Sequence, residues 1–76
     1  MAKHGVVLFN TTSSAMQAEA VLSRAGLAVK MIPTPRELSS DCGLALRFDW
    51  EASEQVRQLL EQRHVETAGI HQLSER

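Results

Sequence analysis

The chain lacks the features that mark secreted, membrane-spanning and disulfide-stabilised proteins. Its 76 residues include one cysteine, so no disulfide can form within the chain and the disulfide frameworks of small secreted domains are excluded. The apolar run near the N-terminus, residues 6–9, is far shorter than a signal peptide or a membrane span requires. We therefore expect a soluble cytoplasmic protein with no membrane partner.

Positive charge and aromatic residues are also scarce. Eight Lys and Arg residues stand against nine Asp and Glu residues, for a net charge of −1, so no basic stripe is available to neutralise phosphates. RNA-binding sheets display aromatic side chains on their central strands, and here only Phe9 is available for that role. The sequence also has no Cys-x-x-Cys pair of the kind that copper chaperones use. We expect no nucleic-acid partner.

What the chain does contain is enough apolar sequence for one small core. Hydrophobic residues make up 43% of the composition, which is typical of an ordered globular protein. A chain of this size buries about 60% of the surface that its unfolded form exposes. We expect residues 1–76 to form a single domain.

Hydrophobic periodicity and local end signals predict four strands and two helices. The strands are predicted at residues 6–9, 28–32, 43–48 and 66–73, and the helices within residues 10–27 and 51–64. Ser14 and Gln17 have the spacing of a capping box, so the first helix should have its N-cap within residues 12–14 and its C-terminal glycine at Gly26. Asp49 should cap the second helix.

The resulting order, βαββαβ, predicts an α+β fold. The simplest arrangement is the ferredoxin-like split-βαβ sandwich, with an antiparallel sheet in the order 4-1-3-2 and both helices on one face. In that topology the loop at residues 33–42 lies at the same edge of the sheet as the start of the first helix. Cys42 should therefore lie near the Thr-Thr-Ser-Ser segment that opens this helix.

The opposite face of the sheet is predicted to be uncovered. We expect it to present Val7, Phe9, Ile32 and Ala45, together with Lys30 and Arg47. Uncovered apolar surfaces of this kind often bind partners. A homodimer formed through this open face is therefore a hypothesis.

Cys42 follows a polar loop and precedes the third strand, and the residues support two interpretations. Helix N-termini and nearby cations stabilise thiolates, and the first helix together with Arg36 would supply that field. However, Cys42 has the same parity as Leu44 and Leu46, which are assigned to the core, and cysteine often packs as a small hydrophobic residue. Both interpretations stay open.

The residues around Cys42 have local structural explanations as well. Thr34 can cap a short helical turn at residues 35–39, with Pro35 in the first position and Glu37 completing a capping box. Ser13 and Ser14 lack the His and Asp partners of a catalytic triad, and capping accounts for them.

Two histidines are the remaining candidates for metal chemistry. His4 and His71 can be neighbours across strands one and four, but they should lie towards the end of the sheet away from Cys42. A shared Cys/His metal site is therefore not expected, and no cofactor is expected.

The segment at residues 32–48, Ile-Pro-Thr-Pro-Arg-Glu-Leu-Ser-Ser-Asp-Cys-Gly-Leu-Ala-Leu-Arg-Phe, closely resembles the signature of a bacterial family. These small proteins are described as "putative selenium/sulfur carrier-like", and the resemblance extends along nearly the whole chain. It implies that Cys42 carries sulfur or selenium as a persulfide or selenopersulfide, received from a donor protein and passed to an acceptor enzyme. The surroundings of the thiol would be formed by the matching loop residues Pro33, Thr34, Pro35, Arg36, Ser39 and Ser40. Gly43, together with Ser13 and Ser14 at the helix start, completes the set of candidate binding residues.

On this view the protein is a carrier rather than a complete enzyme. The alternative is a non-catalytic module that binds a small anion or a protein partner. Cys42 would then be a packing residue, and Arg36 would contact a carboxylate or phosphate.

Overall fold

The computed structural model describes residues 3–38 and 42–73, which contain four strands and two helices. The strands are β1 (His4–Leu8), β2 (Val29–Pro33), β3 (Leu44–Asp49) and β4 (Gly69–Gln72), and the helices are α1 (Thr12–Arg24) and α2 (Ser53–Gln62). The predicted α+β class and the element order are confirmed.

The four strands form one antiparallel sheet. Their order is β2-β3-β1-β4, which reads 4-1-3-2 when it is counted from the β4 edge. β3 and β1 are the central strands, and β2 and β4 are the edges. The assignment to the ferredoxin-like fold and the extent of the domain, residues 1–76, stay predictions.

The pairing of β1 with β3 determines which side chains enter the main core. Val7 lies opposite Leu46 and Leu8 lies opposite Ala45, and directly paired residues point to the same face of a sheet. The cluster on the helix-covered face consists of Val7, Phe9, Ala15, Ala18, Leu22, Cys42, Leu46, Phe48, Val56, Leu60 and Val65. Since the buried residues of α1 and α2 share this one cluster, both helices cover the same face.

The predicted content of the other face is wrong for β1. Val7 and Phe9 belong to the helix-covered core, and Val6 and Leu8 take their places beside Ala45. Residues 6–9 are all apolar, so β1 has no alternation from which its orientation could be predicted. The register with β3 decides it.

The helix-free face is also not an open apolar patch. Val6, Leu8 and Ala45 are at most 3% exposed, and Leu38 and Leu73 pack against them. This face therefore holds a second, smaller core. The basis for a homodimer through an uncovered sheet is lost, and the homodimer stays an untested prediction.

The ends of α1 are set by local hydrogen bonds. Its N-cap is Thr11 rather than a residue within 12–14, because Thr11 has an extended backbone and its Oγ1 accepts from the Ser14 N–H at 3.1 Å. Gly26 has φ +86°, as expected for the glycine that follows a helix. The Leu27 N–H donates to the Leu22 carbonyl at 3.1 Å, which completes a Schellman motif.

The start of α2 differs from the prediction in one detail. Asp49 caps a short 3₁₀-helix, Trp50–Ala52, through a 3.4 Å hydrogen bond from the Glu51 N–H to its Oδ1, and α2 begins after it. Both helices are short, and within residues 3–38 and 42–73 no helix has the length and apolar character needed to cross a membrane.

Gly5 of β1 leads to a prediction about stability. A Cβ atom at this position would lie 2.5 Å from Trp50 Cε3 and 2.6 Å from Phe48 Cζ, and these two rings stack with centroids 6.0 Å apart. Gly5→Ala should therefore lower the free energy of unfolding by about 1–3 kcal/mol, the usual cost of overpacking a core. Urea denaturation measures this change.

Gly43→Ala is the matched control for this substitution. A Cβ atom at Gly43 meets nothing within 4 Å, so the same chemical change should leave the unfolding midpoint nearly unaltered. Equal midpoints for Gly5→Ala and Gly43→Ala would contradict the packing described for Gly5.

Candidate functional site

Cys42 lies two residues before β3, with its side chain in the core. The residue is 4% exposed and belongs to the helix-covered cluster, as its parity with Leu46 indicates. The structure therefore confirms the packing that the sequence suggested for this thiol. Burial does not by itself exclude chemistry, because a buried thiol can react once a local opening exposes it.

The first turn of α1 lies against the thiol. Thr12, the first residue of α1, places its Oγ1 3.8 Å from Cys42 Sγ, and either atom can be the donor. The predicted proximity of Cys42 to the Thr-Thr-Ser-Ser segment is thus confirmed. The positive end of a helix dipole and a hydroxyl group both favour an anion at this position.

Thr34 holds the backbone of Cys42 from the other side of the loop. Its Oγ1 donates to the Cys42 carbonyl at 3.1 Å, and its N–H donates to the Gly43 carbonyl at 3.0 Å. The predicted role of Thr34 as a helix cap is wrong, because its hydroxyl makes this cross-loop bond instead. These two bonds extend the β2–β3 hairpin beyond its last sheet pair, Pro33 and Leu44.

The chain turns sharply after Thr34. The Leu38 N–H donates to the Pro35 carbonyl at 3.0 Å, which closes a single turn where a short helical turn was expected. Leu38 then packs on the helix-free face, whereas Cys42 packs on the helix-covered face. The loop is therefore anchored on both sides of the sheet.

Arg36 lies at the outer side of this turn. Its side chain is exposed, and in the part of the chain that the structure describes it makes no hydrogen bond or ion pair with Cys42. The role of Arg36 in stabilising the thiolate stays a prediction.

The predicted serines divide into two groups. Ser13 is exposed at the start of α1, and Ser14 is bonded to the N-cap Thr11. Ser39 and Ser40 lie outside the described residues. The contact that sequence reasoning missed is Thr12, which was only one of four consecutive hydroxyl residues at the helix start, with nothing in the sequence to single it out.

The histidines do not join this site. His4 begins β1 and lies opposite Asp49, at the end of β3 that is remote from Cys42. His71 lies opposite Val6 on β4. Within residues 3–38 and 42–73 no group of three or more His, Cys, Asp or Glu side chains is arranged to hold a metal ion.

The loop anchors lead to a prediction about the reactivity of Cys42. Thr34→Val removes the hydroxyl bond to the Cys42 carbonyl, which is worth about 1 kcal/mol, so the population with the loop opened should rise about fivefold. The rate at which iodoacetamide modifies Cys42 in the native protein should rise by the same factor. Mass spectrometry of timed samples gives this rate.

Thr34→Ser is the control, because it keeps the hydroxyl donor, and its labelling rate should stay close to that of the wild type. If Thr34→Val and the wild type were labelled at equal rates, the thiol would not be exposed through opening of this hairpin.

Comparison with known proteins supports one family for this site and fold. The family model described as "putative Se/S carrier protein-like" matches residues 4–72, which include Cys42 and every strand and helix. Searches of curated proteins and of solved structures gave no match. Since the family model covers nearly the whole chain, this protein belongs to the Se/S carrier protein-like family.

Proposed function

We propose that the protein carries a sulfur or selenium atom on Cys42 and delivers it to an acceptor protein. The observation that carries this proposal is the placement of Cys42 Sγ 3.8 Å from Thr12 Oγ1 in the first turn of α1, in a chain of the Se/S carrier protein-like family. We assign the ferredoxin-like fold to this carrier. We place it in the cytoplasm, where thiols stay reduced.

The loading step is a thiol exchange in which atoms and electrons balance. The Cys42 thiolate attacks the terminal sulfur of a donor persulfide, a bond forms between Sγ and that sulfur, and the sulfur–sulfur bond of the donor breaks. The donor thiolate leaves, and Cys42 holds the transferred atom as a persulfide. An acceptor thiolate reverses these events in the second transfer, and Cys42 leaves as its thiolate.

The first turn of α1 can stabilise both anionic forms of Cys42, the thiolate and the persulfide. Thiolate and persulfide are anions, and each gains from the positive end of a helix dipole. The Thr12 hydroxyl can donate to the sulfur anion, and the exposed Ser13 beside it is proposed to contact the transferred atom. Ser14 supports the geometry by bonding to the N-cap Thr11.

Transfer also requires that a thiol only 4% exposed becomes accessible. The two Thr34 hydrogen bonds and the partial burial of Leu38 together oppose opening by about 3 kcal/mol. The unassisted opened population is then about one in a hundred or less. We propose that a donor or acceptor protein binds the loop and opens it, with the exposed Gly43 as the hinge, because glycine has no Cβ to restrict its backbone torsions.

Arg36 is assigned to this encounter rather than to the thiol itself. It is exposed on the turn between Thr34 and Leu38, where it can contact an acidic group of the partner. Ser39 and Ser40, which belong to the same signature segment of the sequence, are proposed to assist the transfer.

Persulfide loading tests this function. The protein is incubated with a cysteine desulfurase and cysteine, or with selenocysteine in a parallel arm, and its intact mass is followed. The wild type should gain one sulfur or one selenium atom, and Cys42→Ser should gain neither. Thr12→Val should load more slowly, because it lacks the hydroxyl that faces Sγ.

Failure of both wild type and Cys42→Ser to gain mass, or an equal gain in both, would refute the carrier function. The two arms also separate sulfur from selenium, since a carrier tuned to one element should load faster in that arm.

Arg36→Gln tests the proposed partner contact. Loading by the desulfurase should slow several-fold because a charged contact is lost, while alkylation of Cys42 by the small neutral reagent iodoacetamide should be unchanged. Arg63→Gln, which removes an exposed charge at the end of α2, is the control. A parallel fall in loading and alkylation for Arg36→Gln would show that Arg36 acts on the thiol and not on the partner.

A second function is favoured by the burial of Cys42 in the main core. In this alternative the thiol is a packing residue and the protein is a non-catalytic binding module. Cys42→Ser would then lower stability and leave binding of the natural partner intact. Fast loading of the wild type by the donor would exclude this alternative.

A further inference from the structure

Two cations lie directly opposite each other on the helix-free face of the sheet. Lys30 of β2 and Arg47 of β3 are partners in the register, and like charges in this arrangement destabilise a sheet. On its other side Arg47 is paired with the apolar Val6. The central strand β1 therefore places no acidic residue opposite Arg47.

Lys30 and Arg47 are not held in ion pairs by acids of the described segments. Neither side chain forms an ion pair or hydrogen bond there, where the ion pairs found are those of Arg57 with Glu54 and Glu61. Asp49 lies two residues beyond Arg47 on the same strand, but its Oδ1 accepts from the Glu51 N–H at 3.4 Å. One of its carboxylate oxygens is therefore engaged by the start of the 3₁₀-helix.

Protection of a sheet edge explains Lys30 but not Arg47. Edge strands often carry lysine, which discourages pairing with another chain, and β2 is an edge strand. Arg47 is on the central strand β3 and is partly buried. A partly buried arginine held opposite a lysine is stabilised by an anion, and residues 3–38 and 42–73 place none in an ion pair with it.

A small cavity lies at this pair of cations. Its volume is about 190 Å³, and its lining includes Lys30 and Arg47 together with His4, Ala28 and Asp49. Pockets for drug-sized ligands are roughly 300–1,000 Å³, so this one suits a smaller molecule. Lys30, Arg47 and Asp49 together carry one positive charge.

We propose that Lys30 and Arg47 form a binding site for a small oxyanion, either phosphate or a short carboxylate. The guanidinium of Arg47 can bind two oxygens in its plane, and the Lys30 ammonium adds a point charge. Asp49 limits the site to one anionic group near the two cations. This site lies at the end of β3 remote from Cys42, so it is independent of the proposed transfer chemistry.

Titration of the isotopically labelled full chain tests this site by NMR. Inorganic phosphate and succinate are the two probes, and they distinguish the two sources of oxyanion. Each probe that binds should give saturable shifts centred on the amides of Lys30 and Arg47. Arg47→Gln should weaken binding about tenfold, since a charge-assisted bidentate contact is lost.

Lys30→Gln, at an exposed position of an edge strand, should weaken binding about threefold to fivefold without disturbing the fold. Arg24→Gln, which removes one positive charge from the exposed end of α1, should leave the affinity within about twofold, because Arg24 does not line the cavity and its exposed charge is screened by solvent and salt. The spectrum of each variant without ligand confirms that it is folded.

Absence of saturable shifts with both probes would overturn the proposal. Equal weakening by Lys30→Gln and Arg24→Gln would also overturn it, since that result would mean attraction by overall charge only. Shifts centred on the first turn of α1 would assign the oxyanion to the Cys42 end of the molecule instead.

Discussion

The pairing of β1 with β3 is the constraint on which the rest of the structure depends. These two strands are the centre of the sheet, and their register places Val7 with Leu46 on one face and Leu8 with Ala45 on the other. A slip of one residue would exchange the two faces of β1. Both hydrophobic cores, and the surfaces that α1 and α2 cover, therefore follow from this register.

The same pairing brings the thiol to the start of α1. β3 runs antiparallel to β1, so the residues that precede β3 lie beside the residues that follow β1. Cys42 consequently meets Thr12, although 30 positions separate them in the chain. The loop before Cys42 is held by Thr34 on one side and by Leu38 packing on the opposite face. The accessibility of the sulfur is thus governed by the local stability of this loop, not only by the chemistry of the thiol.

The two ends of β3 have different chemistry. One end holds a buried sulfur at a helix N-terminus, and the other holds the opposed cations Lys30 and Arg47 beside a small cavity. The net charge of −1 does not reveal this difference, because it does not report which charged residues are neighbours in the folded protein.

Several features followed from the sequence alone. Periodicity and turn residues were sufficient for the α+β class and the order of elements, and the alternation in β3 correctly separated Leu46 and Phe48 from Ala45. Topology then predicted that Cys42 lies near the start of α1, since connected strands and helices share sheet edges.

Other features were decided only by the tertiary structure. Residues 6–9 have no alternation, so the inward face of β1 depended on its partner strand. Four consecutive hydroxyl residues, 11–14, can each cap a helix, and only the backbone conformation selected Thr11 as the cap and left Thr12 facing the thiol. The roles of Thr34 and Leu38 also depend on non-adjacent residues. Thr34 donates a hydrogen bond to the Cys42 carbonyl, and Leu38 packs against the second core. Local sequence carries the preferences of a segment, whereas the partner of each polar or apolar group exists only once the chain has folded.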